Sequence, residues 1–227
     1  MFTKQEIIMK KTFLLAGCLL CMATGFAQNA EQKFSAYYYQ RASLFEALPV
    51  EQNDILFVGN SITDGGEWHE LFQQVNIKNR GISADTTDGL YDRLTPITKG
   101  KPAKIFLLIG INDVARGKTP AEIAEGIARI ARKIKADTPD TKLYIQSVLP
   151  VTPYYNQYPN HTKRWEMVAE INRLVKEFTE KEQLTYIDLY THFADESGQL
   201  KKEYSNDGLH LMGNGYLLWK KILRPYL

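Results

Sequence analysis

Apolar residues gather along this chain in two alternating rhythms, and the alternation predicts the architecture. Largely apolar runs at residues 55–58, 104–109, 143–148 and 184–189, with a weaker one at 75–78, have the length and bounding turn residues of buried strands. Between them apolar positions recur at helical spacing: Phe34, Tyr38, Leu44, Phe45 and Leu48 before Pro49, then residues 86–94 before Pro96. Ile123, Ile127, Ile130 and Ile134 mark a third helix, Trp165, Val168, Ile171, Val175 and Phe178 a fourth, and residues 216–223 a closing one. Thr119-Pro120-Ala121-Glu122 opens the third helix with a capping box and a proline at its first position. Strands alternating with helices imply parallel β-α-β units, and so an α/β fold: a three-layer α/β/α sandwich around a mostly parallel sheet of about five strands.

The first 27 residues follow a different pattern. Lys10 and Lys11 precede an apolar run from Phe13 to Met22, and Gly25-Phe26-Ala27 closes it with small residues at its ends. That order predicts a secretory signal peptide cut after Ala27, with residues 28–227 as a single domain and an exported product. Leu15-Ala16-Gly17-Cys18 also resembles a lipobox that would leave Cys18 acylated, but the apolar segment before it is very short, so cleavage after Ala27 is the favoured reading. Both cysteines, Cys18 and Cys21, lie in this leader, and the remaining chain has no disulfide or thiol chemistry available.

Charge changes the picture only by exclusion. The formal net charge of +2 comes from Lys4, Lys10, Lys11 and Glu6 of the leader, and without them bases and acids balance. No basic field argues for nucleic acid as a partner, and no apolar run is long enough for a stable membrane span. Composition leaves the oligomeric state open.

Four separated stretches carry the candidate chemistry: Gly59-Asn60-Ser61, Asn79-Arg80-Gly81, Gly110-Ile111-Asn112-Asp113 and Asp207-Gly208-Leu209-His210. In the predicted fold the first three stand at the carboxyl ends of strands, where open α/β sheets place ligands, and the fourth precedes the last helix. A serine that performs acyl transfer needs a base within hydrogen-bond reach and a third group to orient that base. His210 and Asp207, three residues apart on a glycine-containing loop, suit those two roles. No cluster has metal-ligand spacing, and the glycine-rich loop at 59–66 lacks the Gly-Lys-Ser/Thr ending of a phosphate cradle.

The four stretches, in this order and spacing, resemble the conserved blocks of the SGNH, or GDSL, esterase/lipase superfamily over residues 54–227. The resemblance implies a flavodoxin-like SGNH hydrolase fold, a Ser61-His210-Asp207 triad, and oxyanion donors at the backbone N–H of Ser61, the backbone N–H of Gly81 and the side-chain amide of Asn112. It also implies that no cofactor is needed. The chain departs from the usual Gly-Asp-Ser-Leu at Asn60 and Ile62, where the acceptor oxygen is kept and the charge is lost. The expected activity is hydrolysis of short acyl esters, acetyl foremost, on a small molecule or glycan. Lysophospholipase or thioesterase activity on longer chains is one alternative; a catalytically silent glycan-binding protein is another. Asp64, Trp68, Arg116, Tyr154, Tyr155 and Tyr158 are candidate substrate contacts, whereas His69, His161 and His192 read as surface or loop residues.

Overall fold

In the computed structural model, residues 32–227 are described; the predicted leader at 1–27, with Cys18, lies outside them. Five strands form one sheet: β1 (Ile55–Gly59), β2 (Ile77–Gly81), β3 (Lys104–Leu108), β4 (Lys142–Gln146) and β5 (Thr185–Ile187). All four neighbouring pairs are parallel, in the order β2-β1-β3-β4-β5. The longer helices are α1 (Ala36–Ala47), α2 (Pro120–Asp137), α3 (Met167–Lys181) and α4 (Gly213–Leu223). Residues Ala36–Leu227 make one compact unit.

Register decides which side chains share a face. Phe57, Phe106 and Tyr144 are partners across β1, β3 and β4, and their rings stack in sequence at centroid distances of 5.1 and 4.7 Å. Trp68 stacks on Phe57 at 4.0 Å and meets Trp219 of α4 edge to face, which closes this layer. The alternate strand residues Leu56, Val58, Ile105, Leu107 and Ile145 are fully buried, as are Ile123, Ile130 and Ile134 on the inward stripe of α2. The helix start of α2 is the capping box expected: Thr119 Oγ1 accepts from Glu122 N–H at 3.3 Å, and Glu122 Oε2 accepts from Thr119 N–H at 2.8 Å.

One strand departs from the apolar pattern. The expected run at 75–78 is displaced to Ile77–Gly81, and Val75 is 95% exposed. The edge strand therefore runs through Lys78, Asn79 and Arg80, and Arg80 is buried with its guanidinium over the Phe45 ring of α1 at 5.0 Å. This places the Asn79-Arg80-Gly81 block inside β2 rather than beyond its end.

The sheet order turns back at β1, because β2 lies on one side of it and β3 on the other. Loops leaving β1 and β3 part company there and open a crevice at their carboxyl ends. Ser61 stands at that point, two residues past the last residue of β1.

Candidate active site

Ser61 opens a single helical turn, Ser61–Asp64, whose first amides need acceptors. Asn60 supplies one: its Oδ1 accepts from Ile62 N–H at 3.1 Å, the task for which a charged carboxylate is not required. Its Nδ2 is buried without a partner, the cost of the amide at this position. Gly59 is obligatory by close approach, since a Cβ there would lie 2.2 Å from the carbonyl oxygen of Leu108.

His210 reaches the serine from the far end of the chain. Its Nε2 stands 3.0 Å from Ser61 Oγ, and its Nδ1 stands 2.7 Å from Asp207 Oδ2. The other carboxylate oxygen of Asp207 accepts the backbone N–H groups of Leu209 and His210, each at 2.8 Å, and the Ser205 hydroxyl at 3.2 Å. Burial pushes the Asp207 carboxyl up, but those two amides and the imidazole outweigh it and hold it below the usual carboxylate value. Gly208 makes the turn possible at a left-handed φ of +88°, and Thr152 N–H donates to its carbonyl oxygen at 2.9 Å. The predicted triad residues Ser61, His210 and Asp207 thus come together in one hydrogen-bonded line.

The predicted oxyanion donors are placed differently. Ser61 N–H has no hydrogen-bond partner among the described residues. Asn112, 6% exposed, donates from Nδ2 to Asp85 O at 2.8 Å and keeps one amide hydrogen unused. Gly81 does not offer its N–H to the crevice. Consecutive strand amides point to opposite sides, and Ile82 N–H is the one that faces β1, donating to Gly59 O at 3.1 Å. The Gly81 N–H therefore faces the outer edge, where Asn79 Oδ1 takes it at 2.8 Å. Glycine is needed there for packing, since a Cβ would lie 2.2 Å from Asp64 N. Three residues on, Ala84 adopts a left-handed φ of +64°, lines a cleft with Asn112, and has an N–H with no partner among the described residues. An alanine in that conformation leaves no mark in the sequence pattern.

That cleft, of about 410 Å³, is lined by Ala84, Asn112, Arg116, Gln157, Tyr158 and His161 among others. Tyr158 joins it to the triad, its ring edge-to-face with His210 at 5.2 Å. Of the candidate substrate contacts, Arg116 and Tyr158 line it. Trp68 does not: it is 1% exposed in the core, with its Nε1–H donated to Thr63 O at 2.8 Å. Asp64 is a brace, its Oδ2 accepting from Tyr37 Oη at 2.8 Å and Ser83 Oγ at 2.8 Å. Tyr154 and Tyr155 lean instead on Lys202, whose Nζ sits 3.4 Å from the Tyr154 ring centroid. His161, expected to be a surface or loop residue, is half-buried against Asn112, its Nε2 2.9 Å from Asn112 Oδ1. His69 and His192 are exposed as expected.

Buried polar groups that no motif announced hold the loops in place. Arg93 donates to Gly59 O, Arg80 O and Asp85 Oδ2 at 3.0, 2.9 and 2.8 Å. Asp113, wholly buried, accepts from Thr87 Oγ1 at 2.6 Å and pairs with Lys118 at 2.8 Å. Asn79 Nδ2 lies within 3.0 Å of the carbonyl oxygens of Thr63, Asp64 and Gly66, the turn that follows the serine.

Comparison with known proteins places the chain in a family. A sequence model of the GDSL-like Lipase/Acylhydrolase family matches residues 57–218. Platelet-activating factor acetylhydrolase IB subunit alpha2 of Rattus norvegicus is 30% identical over 182 residues, covering 77% of this chain and 75% of the relative. A Streptococcus pneumoniae structure named for platelet activating factor superposes with a TM-score of 0.76 at 30% identity, covering 91% of this chain and 98% of its own. A GDSL-like lipase from Bacteroides thetaiotaomicron shares the fold with a TM-score of 0.72 at 23% identity, covering 83% of this chain and 96% of its own. With its five-stranded parallel sheet and this match, the chain belongs to the GDSL-like lipase/acylhydrolase family and is an ester-hydrolysing enzyme.

Proposed function

We propose that the chain is an exported serine esterase that removes short acyl groups, acetyl foremost, from a polar alcohol such as a carbohydrate. The observation that carries this reading is the line from Asp207 through His210 to Ser61, with contacts of 2.7 and 3.0 Å. Ser61 Oγ attacks the ester carbonyl while His210 Nε2 takes its proton, and Asp207 holds the imidazole in the tautomer that can accept it. Charge then develops on the carbonyl oxygen. Ser61 N–H, Ala84 N–H and the free Asn112 Nδ2 hydrogen are the donors available to it, each worth about 3 kcal/mol of transition-state stabilisation in comparable sites. His210 returns the proton to the leaving alcohol, the acyl group stays on Ser61, and a water activated by the same imidazole releases it.

The short-acyl preference draws support from the acetylhydrolase named among the relatives. A polar alcohol is favoured by the cleft itself, where Arg116 and Gln157 offer donors and Tyr158 an aromatic face. Export rests on the leader pattern alone. Among the described residues no helix is long and apolar enough to cross a membrane.

The test is hydrolysis of p-nitrophenyl acetate, butyrate and octanoate by the chain and by Ser61→Ala, followed by acetylated sugars. Acetate should turn over fastest, and the variant should lose a factor of about 10⁴ or more in kcat. Equal rates in both proteins would dismiss Ser61 as the nucleophile. Rates that climb with acyl length would move the assignment to a lysophospholipase or thioesterase.

A further inference from the structure

We propose that His161 is a positioning residue for the reaction: its Nε2–H holds the Asn112 amide so that the free Nδ2 hydrogen faces the developing oxyanion. The inference rests on the reading of Asn112 as an oxyanion donor.

An asparagine amide turns easily about its last torsion and presents nitrogen and oxygen at almost the same place, so a donor of this kind needs fixing at both ends. At one end stands Asp85 O, a backbone carbonyl that can only accept, 2.8 Å from Asn112 Nδ2. This sets which end of the amide is nitrogen. The oxygen end then faces His161 Nε2 at 2.9 Å, and an amide oxygen can only accept. His161 Nε2 must therefore carry a hydrogen, which assigns the neutral ring as the Nε2–H tautomer. With one Nδ2 hydrogen on Asp85 O, the second is left for substrate.

The imidazole is itself placed from several sides. It sits on the helical turn Pro159–Thr162, which packs against the turn Ile111–Ala115 that carries Asn112. His161 N–H and Thr162 N–H both donate to Tyr158 O at 3.0 Å. The Tyr158 ring stands edge-to-face to His161 at 5.9 Å and to His210 at 5.2 Å, so one aromatic side chain spaces the two histidines. The titratable and charged groups facing His161 are Arg116 from beyond the Asn112 turn, His210 from the loop before α4, and Tyr158 from its own segment. Burial, then His210 and Arg116, hold the imidazole below its usual value. A protonated ring would still donate from Nε2, so the contact itself does not switch with pH.

The interaction acts on a contact completed in the transition state, so its loss should appear in kcat rather than KM. The experiment compares p-nitrophenyl acetate hydrolysis by the full chain with His161→Leu, His161→Gln, Asn112→Ala and the His161→Leu/Asn112→Ala pair. Removing one oxyanion donor outright costs about a hundredfold to a thousandfold, so misaligning it in His161→Leu should cost about tenfold to a hundredfold in kcat. KM should stay within about threefold, as for a contact absent from the ground state. His161→Gln, whose amide N–H can donate to the same oxygen, should recover most of the rate. In the Asn112→Ala background, His161→Leu should cost less than about twofold, since coupled groups are non-additive.

The same loss in both backgrounds would overturn the proposal and leave the Asn112 reading intact. An Asn112→Ala variant with unchanged kcat would overturn both. Ring-nitrogen NMR of the unsubstituted chain gives a readout that needs no variant to fold: His161 should show the Nε2–H tautomer, and an Nδ1–H ring would end the idea.

Discussion

Arg93 donates through Nη2 to the carbonyl oxygen of Gly59 at 3.0 Å, so a side chain from beyond β2 fixes the end of the strand that delivers Ser61. The same guanidinium binds Asp85 at 2.8 Å with both side chains almost wholly buried, at 4% and 1% exposure. Arg93→Met should leave that carboxylate buried without its counter-ion, and cost about 3–5 kcal/mol in urea unfolding. Adding Asp85→Asn should recover part of the loss. A single variant within about 1 kcal/mol of the parent would mean that the pair behaves like an exposed one.

Gly208 has a second constraint besides its φ of +88°: a Cβ would lie 2.2 Å from the backbone oxygen of Thr152, which cannot give way as a side chain can. Gly208→Ala should therefore displace the loop that carries Asp207 and His210. A shift of about 1 Å in such a group can cost a hundredfold, and kcat should fall by about that factor while far-ultraviolet circular dichroism stays near normal. Wild-type turnover would show that the loop is positioned by other contacts.

The Asp207 carboxyl is held below its usual value in the folded chain, chiefly by backbone amides acting against burial. As pH falls the unfolded chain takes up this proton first. The stabilisation is thus complete above the unfolded carboxylate value of about 3.9 and is lost as pH drops through the lower folded one. The stability difference between the parent and Asp207→Asn, read from urea midpoints, should be flat from pH 7 to about 4 and shrink below it. A difference that began to shrink well above pH 4 would reverse the sign assigned here.

Ala84 adopts a conformation that costs an L-residue about 1–2 kcal/mol and that glycine adopts freely. Ala84→Gly should keep the N–H in place, leave kcat within about twofold and change stability by less than about 1 kcal/mol, because relieved strain offsets the looser unfolded chain. Ala84→Val, β-branched at the same φ, should lower both stability and kcat. If valine left kcat untouched, Ala84 N–H would have no part in binding the oxyanion.

What was legible in the sequence was whatever declared itself locally. Ser61 ends an apolar run at a glycine, and Asp207 and His210 sit three apart on one loop; the resemblance of the four blocks to the SGNH pattern is what joined them into one triad. β2 was misplaced because it continues through the buried Arg80, covered by the Phe45 ring rather than by aliphatic neighbours, while the apolar Val75 that precedes it is exposed. Gly81 misled for a related reason: a glycine demanded by the approach of Asp64 looks, in one dimension, like a glycine demanded by substrate. The roles of Arg93, Asp85 and His161 depend on partners from other parts of the chain, and no spacing along the sequence records such meetings.

Ser61 and its base are 149 residues apart, and Tyr216 of α4 donates to the carbonyl oxygen of Ile62 across 154. The nucleophile emerges in synthesis 149 residues before the group that activates it. A growing or partly folded chain is thus chemically idle, however well its first strands have formed. Ester hydrolysis then serves as a clock for the seating of the 207–210 loop: in a refolding experiment activity should return no earlier than that long-range contact forms.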